Sequence, residues 1–415
     1  MSTPVRIPPE RRSMSNPLRV LLLENIHPVA VSMFEAEGLQ VETAAGALGS
    51  AALIERLHDV DVLGIRSKTH VTDEVLAAAP GLLAVGCFCI GTNQVDLRSA
   101  NAHGVPVFNA PFSNTRSVAE LILAESVVLA RQLSDRAREM HEGVWKKVAA
   151  GCYELRGKTL GIVGYGHIGS QLGVLAEGFG MRVIFYDIAT KLPMGNNRPC
   201  PSLGELLRQA DFVTLHVPET PQTKKMIGAA EFAAMKRGAF FLNASRGTVV
   251  DISALAASLR EGHVAGTAVD VFPEEPEGNG KGFVSELQGL PNVLMTPHIG
   301  GSTVEAQEAI GREVATSLIR FLGAGTTTAS VNFPQVEMPV SPGAHRILNV
   351  HRNVPGVMSA ITHIVSEERA NIRGQMLSTD PSIGYLVMDL EQDVSRQVTD
   401  AIRRLPTDIR TRIVY

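Results

Sequence analysis

The chain predicts an α/β protein: two doubly wound parallel-sheet domains followed by a small βαββαβ module. Three observations carry that expectation. From Leu18 to Phe321, short β-rich apolar runs alternate with helical stretches, the rhythm of strands joined by crossover helices. One such run, Leu160-Gly161-Ile162-Val163, ends in Gly164, Gly166 and Gly169 and opens a helical segment. Beyond a Gly-, Thr- and Pro-containing stretch at 323–343, a tail of about 70 residues gives the order βαββαβ.

In order along the chain, Leu18–Leu23, Val62–Ile65, Leu82–Cys87 and Val105–Phe108 read as buried parallel strands, and Thr115–Leu133 as a long helix with few breakers. Further strands are expected at Thr159–Val163, Arg182–Tyr186, Phe212–His216, Ala239–Asn243, Thr267–Val269 and Val293–Met295. The Glu- and Ala-rich helix Ser302–Phe321 crosses back onto the first domain. In the tail, strands at His345–His351, Asn371–Ser378, Tyr385–Leu390 and Ile409–Val414 enclose helices at Gly356–Arg369 and Val394–Leu405. An exposed edge of such a sheet suits pairing with a second copy, which suggests dimerisation or ligand sensing.

A length of 415 residues implies two or three domains. Lys+Arg 38 against Asp+Glu 42 leaves a formal charge of −4, so nothing points to a nucleic-acid or membrane surface. No apolar run reaches the roughly 18 residues that span a bilayer. The first fifteen residues lack an apolar core and read as a flexible leader, not a signal peptide. Cys87, Cys89, Cys152 and Cys200 contain no CxxC pair, so reduced cytosolic thiols are expected; Cys87 and Cys89, one residue apart in an apolar run, read as buried and inert. No metal site is expected.

The glycine loop is the arrangement a dinucleotide requires. Gly164 makes the tight turn, Gly166 admits a pyrophosphate, and Gly169 lets the helix pack on its strand. Asp187, eighteen residues past Gly169 and at the end of Arg182–Tyr186, would take the adenosine ribose hydroxyls and repel a 2′-phosphate, which favours NAD over NADP.

Three further pieces end predicted strands, where open α/β sheets bind ligands: Asn243-Ala244-Ser245-Arg246-Gly247, Asp270-Val271-Phe272-Pro273-Glu274-Glu275-Pro276 and Thr296-Pro297-His298-Ile299-Gly300-Gly301-Ser302. Oxidising a hydroxyl removes a hydride from carbon and a proton from oxygen. His298 suits the proton, Glu275 would favour its imidazolium and fix its tautomer, and Arg246 offers a fork for a carboxylate.

These motifs, with Arg66-Ser67-Lys68-Thr69, Cys87–Asp96, Phe108–Ser117 and Val331-Asn332-Phe333-Pro334, resemble the signatures of the D-isomer-specific 2-hydroxyacid dehydrogenases, in a short form ending in an ACT domain. The resemblance runs from about residue 16 to Tyr415. It implies a Rossmann NAD-binding domain (115–301) inserted in a flavodoxin-like substrate domain (16–114 and 302–335), then a linker (336–344) and an ACT domain (345–415). It further implies catalysis by Arg246, Glu275 and His298. Cofactor contacts would fall on Gly164, Gly166, His167, Ile168, Gly169, Asp187, His216, Ala244, Ser245, Arg246, Asp270, His298, Ile299, Gly300 and Gly301.

Among the family's branches, the likeness is to one that oxidises 3-phospho-D-glycerate to 3-phosphohydroxypyruvate, with 2-oxoglutarate reduction as a side activity. Arg66, Ser67 and Lys68 would then hold the phosphate, with Asn114 and Arg246 also on the substrate. Lys147 would complete the site from a neighbouring subunit, into which Trp145 packs. His351, Asn353 and Asn371 match polar positions that hold L-serine between paired ACT domains, so a cytosolic homotetramer inhibited by serine is expected. The rival expectations are an unphosphorylated D-2-hydroxyacid as substrate and, more remotely, an NAD-sensing corepressor scaffold.

Overall fold

The computed structural model describes residues 17–276, 280–391 and 394–414; the expected leader lies outside them. The chain divides into two compact units. The described residues up to Ser113 and from Gln307 onward form one, and those between Asn114 and Ala306 form the other.

The first unit opens with five parallel strands: β1 (Arg19–Leu22), β2 (Gln40–Thr43), β3 (Val62–Ile65), β4 (Ala84–Cys87) and β5 (Val107–Asn109), in the order β2-β1-β3-β4-β5. This is the doubly wound flavodoxin-like order. Strands β1, β3, β4 and β5 are buried runs, as their composition predicts. The returning helix Val304–Ala324 packs Val314 and Leu318 so closely on β4 that a Cβ at Gly86 would lie 2.8 Å from each. A close-packed interior has no room for that methyl group.

The second unit holds seven parallel strands: β6 (Thr159–Val163), β7 (Arg182–Tyr186), β8 (Arg198–Pro199), β9 (Phe212–Leu215), β10 (Ala239–Asn243), β11 (Val264–Val269) and β12 (Val293–Met295). Their order is β12-β11-β10-β9-β6-β7-β8. The chain winds outward from β6 to β8, then returns to β9 on the other side of β6. The switch point between β6 and β9 is where such sheets take a nucleotide. The expected long helix ends at Arg131, because Gln132 adopts a left-handed φ of 52° and starts a second helix, Leu133–His141.

The tail, part of the first unit, is the expected βαββαβ sandwich: β13 (His345–Arg352), β14 (Ile372–Thr379), β15 (Ile383–Leu390) and β16 (Asp408–Val414), ordered β14-β15-β13-β16 with antiparallel pairing. One face of this sheet packs Leu348, Val350, Tyr385 and Val387 into the same apolar cluster as Phe321 and Phe333. Arg346, fully buried, forks onto Asp389 at 2.6 and 2.8 Å and donates to the carbonyls of Ala324, Met338 and Pro339. Every guanidinium donor is used, which offsets the cost of burying the charge.

Candidate active site

The three glycines of the loop have three different causes. A Cβ on Gly164 (φ 93°) would sit 2.4 Å from the His216 carbonyl oxygen, so the turn itself excludes a side chain. A Cβ on Gly169 would sit 2.3 Å from the Gly164 carbonyl oxygen, so the helix His167–Gly178 owes its close approach to that glycine. A Cβ on Gly166 would meet nothing within 4 Å. Among the described residues nothing requires that glycine, and the open space at a helix N-terminus fits a pyrophosphate. The residues present therefore fit a dinucleotide.

Asp187 follows β7 with its carboxylate already oriented: one oxygen accepts from the Tyr165 amide and the other from the Ala189 amide, at 2.8 and 2.9 Å. Each oxygen keeps a lone pair for a ribose hydroxyl. His216 forms the loop's wall through its backbone, while its ring bonds Thr214 Oγ1 at 3.1 Å. Burial pushes this imidazole down to about 3, so it is neutral.

At the end of β10, Asn243 accepts from both the amide and the hydroxyl of Ser245 and donates to the Arg246 carbonyl. This turn carries Ala244 and Ser245 past the sheet edge and presents Arg246, whose Nη1 donates to the Ser245 carbonyl at 2.7 Å. Gly247 is compulsory, since its Cβ would overlap the Phe272 backbone at 1.9 Å.

Buried Asp270, after β11, organises the third strand end. It accepts from Thr296 Oγ1 at 2.6 Å and from the Ile299 and Gly300 amides at 2.8 Å, and its carbonyl accepts from the His298 amide at 2.8 Å. Held this way, His298 adopts a left-handed φ of 55°, uncommon for a residue with a side chain and frequent at working sites. Its Nδ1 faces Glu275 Oε2 at 2.9 Å, leaving Nε2 for a ligand. Glu275 in turn accepts from the Phe272 amide at 3.0 Å.

The two partners shift in opposite directions. The hydrogen bond that His298 donates to Glu275, reinforced by the charges of Glu275 and Asp270, raises His298 above the usual histidine range against the effect of burial. For Glu275, burial alone would raise the carboxyl. The bonds from His298 and Phe272, with the fields of His298 and Arg246, outweigh burial and lower it. An imidazole backed by a carboxylate, with a guanidinium acting on both, is equipped to move a proton beside an anionic ligand. Asn114 lies against Gly301, and Ser117 Oγ donates to the Gly300 carbonyl at 2.8 Å, so the start of the helix Thr115–Arg131 braces this loop.

In the other unit, Arg66, Ser67 and Lys68 follow β3. Two residues that sequence reasoning missed shape this turn. Glu24, at φ 62°, accepts from the Lys68 and Thr69 amides at 3.1 and 2.8 Å, and Gln94 donates to the Arg66 carbonyl at 2.5 Å. No periodicity marks a lone buried carboxylate or amide of this kind. Trp145 is 80 % exposed, and Lys147 is exposed beside it. Cys87 is buried and none of the four cysteines is paired.

In the tail, His351 is buried, with Nδ1 on Asn349 Oδ1 at 2.8 Å, and Asn353 donates to the Asp380 carbonyl at 2.6 Å. Asn371 donates to Glu391 at the opposite end of the sheet. The register fixes this separation: Arg352 and Thr379 flank β15 at Ile383 and Gly384, whereas Ile372 pairs with Leu390. Seven residues of strand put about 23 Å between Asn371 and the other two. One chain does not bring the three together.

Among the described residues there is no cluster of metal ligands and no helix long and apolar enough to cross a membrane.

Residues 123–300 match the family of the D-isomer specific 2-hydroxyacid dehydrogenases, in its NAD binding domain, and 347–410 match an AHAS small subunit-like ACT domain. Solved structures of the same fold include the TT0316 protein of Thermus thermophilus (35 % identity, TM-score 0.66, covering 72 % of this chain and 95 % of that one). The D-lactate dehydrogenase of Aquifex aeolicus, complexed with NAD and lactic acid, is also similar (25 %, TM-score 0.65, covering 76 % and 100 %). Fold and site thus define an NAD-dependent oxidoreductase of the D-2-hydroxyacid class.

Full-length relatives narrow this. The D-3-phosphoglycerate dehydrogenase of Dictyostelium discoideum is 54 % identical over 398 residues, 96 % of this chain and 97 % of its own. That of Escherichia coli K12 is 50 % identical over 401 residues, 96 % and 98 %. The chain belongs to the D-3-phosphoglycerate dehydrogenase family.

Proposed function

We propose that this chain oxidises 3-phospho-D-glycerate to 3-phosphohydroxypyruvate, the first step of L-serine synthesis, under feedback by L-serine. The observation that carries the reading is the His298–Glu275 pair at 2.9 Å, set at the strand ends of an NAD-binding domain in a chain about half identical to named relatives over nearly its whole length.

In this assignment NAD, when bound, accepts the hydride. His298 Nε2 takes the hydroxyl proton, Glu275 holds the ring and stabilises the imidazolium, and Arg246 orients the substrate carboxylate. Gly166, on the turn that Gly164 and Gly169 make possible, receives the pyrophosphate with the amides of His167 and Ile168, and Asp187 receives the ribose. His216, Ala244, Ser245, Asp270, Ile299, Gly300 and Gly301 form the rest of the cofactor's surroundings. Asn114 joins Arg246 on the substrate. For the phosphate we assign Arg66, Ser67 and Lys68, and Lys147 from a second copy whose Trp145 packs into its neighbour.

Serine is assigned to His351 and Asn353 of one chain and Asn371 of another. Edge-to-edge antiparallel pairing of β14 with its counterpart brings the start of one strand to the end of the other, which removes the separation within a single chain. With the exposed face around Trp145, this second contact supports a homotetramer, which we assign to the cytosol.

An absorbance assay of NADH formation, run with 3-phosphoglycerate, D-lactate and D-glycerate and repeated with serine, tests the reading. Turnover of phosphoglycerate in preference to the others, suppressed by serine, is the expected result. Equal turnover of an unphosphorylated acid would overturn the substrate assignment.

A further inference from the structure

The helix Thr115–Arg131 packs on the helix His167–Gly178 and on β10, β11 and β12. It carries an acid that the proposed chemistry does not use. Glu125 is 2 % exposed, and both carboxyl oxygens are sealed from solvent without a hydrogen-bond donor.

The donors of this region serve Asp270 instead: the Thr296 hydroxyl and the amides of Ile299 and Gly300. A carboxylate with three donors is stable as an anion in the interior, and one with none is not. The two acids therefore divide the roles, Asp270 ionised and Glu125 protonated. Burial first, and the Asp270 charge second, push the Glu125 carboxyl up to about 8. Among the described residues, Asp270 is the one charged group on the elements packed against this helix whose field reaches Glu125. The field of Asp270 also reaches His298, alongside those of Glu275 and Arg246.

We infer that Glu125 is a positioning residue acting as a neutral acid: it leaves a single buried charge, on Asp270, to lock the Thr296–Gly300 loop, so that His298 is held in place with one anion behind it. An ionised Glu125 would place a second negative charge within the field of the first, with no donor of its own. The inference rests on His298 being the acid–base group of the proposed reaction.

The test compares the full-length protein with Glu125→Gln, which keeps the shape and removes the ionisation. Infrared spectroscopy of the wild type should show the carbonyl stretch of a buried protonated carboxyl at neutral pH, fading as pH rises through about 8 and missing from E125Q. The KM for NAD should rise severalfold in the wild type above that pH and stay flat in E125Q, with kcat at neutral pH alike in both. A carboxyl raised in the folded state stabilises it fully below the unfolded value near 4.5 and loses that contribution through about 8. The thermal midpoint of the wild type should accordingly fall behind that of E125Q in alkaline solution.

Absence of the infrared band, or superimposable KM profiles, overturns the inference. If E125Q fails to fold, Glu125→Met carries the same expectations, because it is uncharged and of similar length. The infrared and thermal readouts need no turnover, so a protein inactive on every hydroxyacid would sink the proposed function and leave this inference separately decided.

Discussion

The nucleotide unit and the tail both gather polar residues at strand ends, yet only the first completes a constellation within one chain. There, β10, β11 and β12 are adjacent and parallel, so Arg246, Glu275 and His298 leave one edge of one sheet in the same direction. In the tail the strands are antiparallel, and the start of β14 lies at the far end from the close of β13. Parallel strands collect their C-terminal ends, whereas antiparallel strands alternate them. A site on the second kind of sheet needs either a neighbouring loop or another copy, and the unpaired β14 edge offers the latter.

The sharpest test of the first half of this contrast removes the histidine. His298→Ala should lower kcat/KM for oxidation by a factor on the order of 10²–10⁴, the usual worth of a positioned general base. NAD binding, followed by fluorescence titration, should persist. A variant that keeps most of its activity would mean that the strand ends do not carry the proton transfer.

A smaller effect with a direction comes from Glu275→Gln. Glu275 raises His298 in the folded protein, and oxidation needs the neutral ring, so the acid limb of the wild-type profile lies above the ordinary histidine value. Without the charge, the limb should move to lower pH while the maximal rate falls by roughly tenfold to a hundredfold, as the ring loses its tautomer and its counter-charge. A limb that stays in place would show that the pair at 2.9 Å does not set the titration.

The contrast also explains what was legible in the sequence. Buried parallel strands such as Val62–Ile65 and Ala239–Asn243 are short apolar runs closed by turn residues, and the structure places them where that pattern predicts. Two edge strands left no such mark. In Gln40–Thr43 and Arg198–Pro199 the side chains are largely exposed, so no apolar run forms. The helix break at Gln132 was equally silent, since a left-handed glutamine has neither the glycine nor the proline that signals a stop. Around the site, the charged residues at strand ends were readable because their position follows from the fold. Glu24, Gln94 and Glu125 were not, because the part a buried polar group plays is defined by what surrounds it in space.

For the tail, the contrast predicts complementation. Asn371→Ala and His351→Ala should each raise the serine concentration needed for half inhibition by about tenfold or more, the worth of a hydrogen bond to a charged ligand, with the uninhibited rate unchanged. Co-expressed and mixed, the two variants should recover serine sensitivity, because a hybrid pair contains one crevice with every residue intact. Recovery would establish that the crevice spans two chains, and unchanged insensitivity of the hybrid would place all three residues' work within one.

The mildest test leaves every proposed ligand in place and weakens only the pairing. Leu377 is 40 % exposed on β14, beside Met376 at 39 %, an apolar stretch on an edge strand that pairs with β15 on one side and, among the described residues, with no strand on the other. Exposed edges of this kind are usually guarded by charge, lysine above all, because an unguarded edge pairs with another. Leu377→Lys would place like charges near the two-fold axis of the proposed pair, at a cost of about 0.2–1 kcal/mol for each close contact. The serine midpoint should then shift by a few fold and the inhibition lose steepness, while phosphoglycerate turnover without serine stays as before. Raising the salt should reverse part of the shift, since exposed charges are screened over about 8 Å at physiological ionic strength. A serine response indifferent to both the lysine and the salt would mean that β14 is not the edge through which two tails meet, and the separation of Asn371 from His351 would then need another remedy.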